Sequence, residues 1–192
     1  VSEKIADIFT KKFAKIERNP VKPETVFIKR GRHFNRFEET YPVNQGKLVI
    51  GFRAGMENSR DNIYAVTVMN DIFGMGTYSK LFANVREKLS LAYYCWSRFI
   101  DSKGLVLVEG GIDTDKEKKV SAEILSQLSD LRNGKTDPEV LESSKRSLKE
   151  RYTFTTPESI CAWYAAQVTE NEIITPESMI EGVEAVTMEQ VC

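Results

Sequence analysis

"LAYYCWSRFIDSKGLVLVEGGI", residues 91–112, decides the fold class. Residues 91–100 and 104–112 are dense in aromatic and β-branched side chains, the composition of strands. Only Asp101-Ser102-Lys103-Gly104 separates them. That connection is too short for a parallel crossover, so the two strands pair antiparallel with Gly104 at the turn.

Upstream of this hairpin, "KLVIGFRAG" (47–55) reads as a more buried strand closed by Gly55. A helix from about Arg60 to Phe73 follows, with Asn58 or Ser59 as its cap and Ile63, Val66 and Met69 or Asn70 facing inward. Gly74 and Gly76 stop it, and the pair predicts a helix-to-helix turn at positive φ. A second helix over 78–89 carries Leu81, Phe82, Val85 and Leu89 on one face. Earlier still, "TVFIKR" (25–30) and "HFNRFEETY" (33–41) have strand composition. Residues 2–17 form an amphipathic helix with Ile5, Ile8, Phe9, Phe13 and Ile16 on one side. Pro20 and Pro23 end it and open a linker.

Downstream the chain turns helical. Thr114 to Glu117 and Thr136 to Glu139 have the spacing of capping boxes, and Gly134 ends the helix between them. Thr156-Pro157 and Thr175-Pro176 mark two more helix starts with Pro at the first position, and Thr187 to Gln190 a last one. Strands first, then two helices, a hairpin and a helical run make an α+β fold: a mostly antiparallel sheet with helices packed on one face. The chain opens on Val1 and "MEQVC" stops within a helix start, so it reads as a piece of something longer.

The 192 residues carry a net charge of −1, which gives no overall field for nucleic acid or a membrane surface. No apolar run approaches the roughly 18–20 residues that cross a bilayer. Cys95, Cys161 and Cys192 are odd in number and scattered, unlike a disulfide framework, so a reducing, cytoplasmic setting is the expectation. His33 is the sole histidine, which rules out a two-histidine zinc site and leaves a Ser/His or Cys/His pair without a credible base. "GMGTYS" (74–79) fails as a dinucleotide fingerprint, because a helix precedes it and Ser79 stands at the third glycine. Arg86, near the end of a helix, and Tyr93, at the start of a strand, can reach the same rim of the sheet. Arginine offers fixed donors to a carbonyl or carboxylate, and a tyrosine hydroxyl can serve a developing oxyanion. On composition alone the plainer reading is the better one: Arg86 a surface helix residue and Tyr93 half-core.

Four stretches resemble the M16 zinc peptidases: "YPVNQGKLVIGFRAG" (41–55), "GMGTYSKLFANVREKLSLAYY" (74–94), "GIDTDKEKKVSAEILSQL" (111–128) and "LESSKRSLKERYTFTTPES" (141–159). That family includes pitrilysin, insulin-degrading enzyme and the mitochondrial processing peptidase. The resemblance covers about residues 40–192 and implies the LuxS/MPP-like metallohydrolase fold. It implies a zinc-free C-terminal domain over 23–192, truncated at its end, with residues 1–22 as a helix and linker arriving from an upstream domain. In such a domain an arginine and a tyrosine reach a substrate held at a zinc that lies in another domain or subunit. Arg86 and Tyr93 match that pair in type and spacing: Arg86 would hold the substrate backbone and Tyr93 would help stabilise the tetrahedral intermediate. The implied partners are a zinc-bearing M16-like domain or subunit and a peptide, and this chain, without His-x-x-Glu-His, is expected to be inactive alone. The alternative is a catalytically inactive M16-like subunit used for peptide binding or assembly. The run also resembles the zinc-lacking bacterial subunits named for an association with elongation factor P modification. Two departures stand out: Ser90 where the family usually has glycine, and Lys80 where it has arginine.

Overall fold

The computed structural model describes residues 2–17, 19, 26–58, 60–170 and 172–192. Three strands, β1 (Gly46–Arg53), β2 (Ala92–Ile100) and β3 (Leu105–Ile112), form an antiparallel sheet in the order β1-β3-β2. The hairpin is as expected, with a 3₁₀ turn at Asp101–Lys103 and Gly104 at φ 57. Burial alternates along the strands. Leu48, Ile50, Val106, Val108, Cys95 and Ser97 turn to the helices, while Val49 and Trp96, both opposite Glu109, stand on the other face.

Helices cover the inner face: α2 (Ile63–Gly74), α3 (Glu117–Arg132), α4 (Pro138–Tyr152), α5 (Pro157–Ala165), α6 (Pro176–Ala185) and α7 (Met188–Val191). Helix α2 packs on β2, with α4, α6 and α7 behind it. Ile72, Phe73, Leu81, Val108, Ile124 and Leu148 are among the side chains fully withdrawn from water. Cys95 is buried in this core, which pushes its thiol up to about 12 and keeps it protonated. Among the described residues no helix is long and apolar enough to cross a membrane.

Several helix starts follow their sequence signals. Thr156 and Thr175 cap α5 and α6 by accepting from the backbone N–H three residues on, and Thr187 and Gln190 form a reciprocal capping box at α7. Gly134 ends α3 at φ 69. Others differ. At α4 the cap is Asp137, which accepts from Glu139 N at 2.9 Å, because Pro138 takes the first helical position and leaves Thr136 outside. Thr114–Lys116 is a 3₁₀ turn, and α3 begins at Glu117 without a side-chain cap. Helix α2 begins three residues later than expected, since Asn62 sits in the left-handed region at φ 52. Asn58 Oδ1 still accepts from Arg60 N at 2.9 Å in the turn before it. Ser59 lies outside the described residues.

The early strands do not form. Within 25–30 and 33–41 every described residue lacks ladder pairing, and Phe34 and Phe37 are 87% and 90% exposed. Strand composition yields a strand only where a neighbour supplies backbone hydrogen-bond partners, and the described residues here meet the rest of the protein through side chains instead, as Lys29 meets Glu57 and Arg36 meets Glu117. His33 is exposed in this stretch. The first helix, α1, runs Ser2–Phe13, shorter than the 2–17 its periodicity predicts, and its apolar side is open: Ile5, Ile8, Phe9 and Phe13 are all exposed. Pro20 and Pro23 lie outside the described residues.

The glycines after α2 serve a purpose other than the expected one. Neither Gly74 nor Gly76 has positive φ. Gly74 is needed because α2 presses on β2: a Cβ there would lie 2.5 Å from both the Ser97 backbone N and its Oγ. Ser97 Oγ donates to the Asn70 carbonyl at 3.2 Å across the same contact. Gly74→Ala should therefore destabilise the fold by about 1–3 kcal/mol, despite alanine's better helix propensity, as read from the denaturant midpoint.

One turn away, Asp71 is 1% exposed at its side chain and joins three elements. It takes a hydrogen bond from the Tyr78 hydroxyl and an ion pair from Arg151 of α4 at 3.1 Å. Burial first, and then the bond to Asp71, push the Tyr78 hydroxyl from 10.0 up to about 12. A raised folded-state value means that Tyr78 stabilises the fold fully below pH 10.0 and loses that contribution as pH rises towards 12. Denaturation series between those limits should show a fall in stability that Tyr78→Phe makes shallower.

Candidate functional site

Three departures from regular backbone converge on the end of the sheet where β2 begins. The first is the helix after α2. Residues Leu81–Lys88 are wound as a π-helix, with Leu89 N bonding back to Asn84 O at 3.1 Å and Leu91 N to Val85 O at 3.0 Å. The wider winding keeps Leu81 and Val85 in the core but turns Leu89 to solvent, against the helical spacing read from the sequence. Asn84 fastens this helix to α3, its Nδ2 donating to Gln127 Oε1 at 3.0 Å.

The second departure is Ser90 at φ 49, a left-handed residue between the π-helix and β2. The third is a β-bulge. Ala92 lies opposite Ile112 and Tyr94 opposite Gly111, so Tyr93 is the extra residue with no cross-strand partner. The Tyr94 ring covers the space where a Gly111 side chain would be. Tyr93 is thereby turned outward, 59% exposed.

Arg86 and Tyr93 meet in one cleft of ≈ 410 Å³, which Ser90, Asp113 and Lys116 also line. The Arg86 guanidinium carbon stands 4.8 Å over the Phe82 ring, and its Nε lies 3.4 Å from Glu87 Oε1. Resting on the ring orients the guanidinium and leaves other N–H groups to serve a ligand. The Tyr93 hydroxyl donates to Asp113 Oδ1 at 2.7 Å, and Lys116 Nζ lies 2.8 Å from Asp113 Oδ2. The bond to Asp113 raises the Tyr93 hydroxyl above its ordinary value. The Lys116 contact, then Tyr93, lower the Asp113 carboxyl, and Asp113 raises Lys116. The cleft thus carries cation, anion and hydroxyl in fixed order, suited to a polar backbone.

The sequence reading foresaw Arg86 and Tyr93 at a common rim. It named neither Asp113 nor Lys116 as a member of the site. The signal was the hairpin register: residues after Ile112 must lie beside the residues that open β2. Among the described residues, no three His, Cys, Asp or Glu side chains gather to hold a metal ion, so the donor set of a catalytic zinc does not fit here.

Residues 2–148 match the family model described as the peptidase M16 inactive domain. The chain belongs to the M16 peptidase family. Over 151 residues it is 32% identical to the "Probable inactive metalloprotease YmfF" of Bacillus subtilis (strain 168), covering 78% of this chain and 35% of that protein. It is also 29% identical over 119 residues to the "Uncharacterized zinc protease YmxG" of the same organism, covering 61% of this chain and 29% of that one. This M16 chain thus spans about a third of the length of the curated relatives it matches. Among solved structures, a conserved protein from Enterococcus faecalis V583 superposes with TM-score 0.71 at 27% identity, covering 92% of this chain and 39% of its own. An M16 inactive domain from Pseudomonas fluorescens superposes with TM-score 0.68 at 21% identity, covering 79% of this chain and 37% of its own, and shares the fold.

The family resemblance puts glycine where this M16 domain has Ser90. Ser90→Gly should raise stability by about 0.5–1 kcal/mol, the left-handed cost relieved less the added entropy of the unfolded chain. Denaturant unfolding of the two proteins measures it.

Proposed function

We propose that this domain is the substrate-holding, zinc-free part of an M16-type metallopeptidase site, supplying Arg86 and Tyr93 to a peptide whose scissile bond lies at a zinc in another domain or subunit. The observation that carries this reading is the convergence of both side chains on one open cleft, through a π-helix, a left-handed residue and a bulge. Such irregularities cost stability and concentrate where side chains must be aimed at ligands. Arg86 holds the substrate backbone through its carbonyl, and Tyr93 sets its hydroxyl against the same substrate.

In this reading residues 1–22 arrive from an upstream domain and 23–192 form the M16 C-terminal-like unit. The exposed apolar side of α1 supports that arrangement, since Ile5, Ile8 and Phe9 are 49%, 58% and 57% exposed. The protein works in the cytoplasm on this reading, in keeping with three unpaired cysteines. A second reading, a catalytically inactive subunit that binds peptides or serves assembly, is favoured by the name of the 32% identical Bacillus subtilis relative, a probable inactive metalloprotease.

The test is zinc-dependent peptide cleavage by the full-length protein together with its zinc-bearing M16 partner. Arg86→Ala should lower kcat/KM about 10- to 100-fold, the loss of a charge-assisted hydrogen bond, and Tyr93→Phe about 5- to 10-fold. Rates that ignore both substitutions would remove the proposed roles. Peptide binding that depends on Arg86 but never leads to cleavage would favour the inactive subunit.

A further inference from the structure

The geometry points to Asp113, braced by Lys116, as a positioning residue that fixes the Tyr93 hydroxyl as a hydrogen-bond acceptor for a backbone N–H of an extended peptide. The inference rests on reading the cleft as a substrate-holding site and deepens it.

A tyrosine hydroxyl has one proton and two lone pairs. At Tyr93 the proton is committed, because Asp113 Oδ1 lies 2.7 Å away and an ionised carboxylate can only accept. Lys116 at 2.8 Å from the other oxygen holds that carboxylate in place and in its charged form. What the hydroxyl shows to the cleft is therefore an oxygen acceptor, strengthened by the bond it donates. The donor role that the family resemblance suggests for this tyrosine would require breaking the bond to Asp113.

Arg86 complements this. It is all donor, and it lines the same cleft. In an extended chain the N–H and C=O of one residue point to the same side. A peptide laid across the cleft can give a carbonyl to Arg86 and an N–H to Tyr93, so the pair reads the two polar groups of a backbone with no demand on its side chains. Selectivity follows for unmodified amide backbone: a substrate lacking that N–H, through proline or an ester, leaves the Tyr93 acceptor unmatched.

The experiment uses the full-length protein and a fluorescein-labelled heptapeptide of Ala, Leu and Lys, with depsipeptide counterparts that each replace one backbone N–H by oxygen. At one position the amide should bind about 5- to 10-fold more tightly than the ester. Tyr93→Phe should bring that ratio to the background shared by the other positions. Asp113→Ala should reduce it to about 2-fold, and Asp113→Asn, whose amide oxygen can still accept from Tyr93, should restore part of it. The ratio should also fall at acid pH, as the lowered Asp113 carboxyl is finally protonated. The titratable groups that act on it are Lys116 and Tyr93; Asp115 acts in turn on Lys116, and Arg86 and Glu87 line the same cleft.

A second readout needs no peptide. The Tyr93 ring-carbon resonance should titrate above the ordinary tyrosine range in the parent protein, move down towards it in Asp113→Ala, and move further up in Lys116→Met, where a cation that favours the ionised hydroxyl is lost. An unchanged amide-to-ester ratio in Asp113→Ala, or an unmoved Tyr93 titration, overturns the positioning role. Peptide binding indifferent to Arg86→Ala overturns the reading of the cleft itself, and the Tyr93 titration then still reports separately on the bond to Asp113.

Discussion

Helix α2 lies so close to strand β2 that only a residue without a side chain fits at Gly74, against the backbone of Ser97. The contact is sealed by Ser97 Oγ donating to Asn70 O within the helix. Within a turn of it, the buried Asp71 carboxylate gathers Tyr78 and Arg151. A buried carboxylate must be paired to be tolerated, so α2, the segment leading to the π-helix and α4 are held in one arrangement. The start of the π-helix and the path of β2 are both fixed from this junction. The position of Arg86 relative to Tyr93 depends on it, although neither touches it.

The cleft is built from local irregularity on top of that frame. A regular α-helix over 81–88 would place Arg86 at another angle, and an unbulged β2 would turn Tyr93 to the opposite face. The chain instead accepts a π-helix, a left-handed serine and an unpaired strand residue within a dozen positions. Core side chains on both sides, Leu81 and Val85 before and Cys95 and Ser97 after, absorb the cost by anchoring the segment. The outcome is a cleft whose donors and acceptors are set before any ligand arrives, which lowers the entropy lost on binding.

Much of the fold was legible because local chemistry decides it. A four-residue connection with glycine can only join antiparallel strands, and Thr-Pro at 156–157 and 175–176 can do little except begin helices. The capping errors at α3 and α4 arose where local signals competed: Pro138 outweighed Thr136, and Thr114 opens a 3₁₀ turn, so that α3 begins at Glu117 without a side-chain cap. The misread strands over 25–41 show the limit of composition. Their aromatic and β-branched residues are genuine, yet a strand exists only through a neighbour's hydrogen bonds.

Residue types and their spacing were enough to establish an α+β chain, its hairpin and most of its helices, because each of these follows from periodicity or from short-range turn chemistry, whereas the pairing of Arg86 with Tyr93 came from the family resemblance. Tertiary structure alone decided that Gly74 serves close approach in place of a left-handed turn, that Asp71 is buried, and that Asp113 and Lys116 stand beside Tyr93. Those facts depend on which surfaces meet across 20 to 80 residues of chain. Such meetings are set by packing and charge pairing between elements, and no local run of residues carries them.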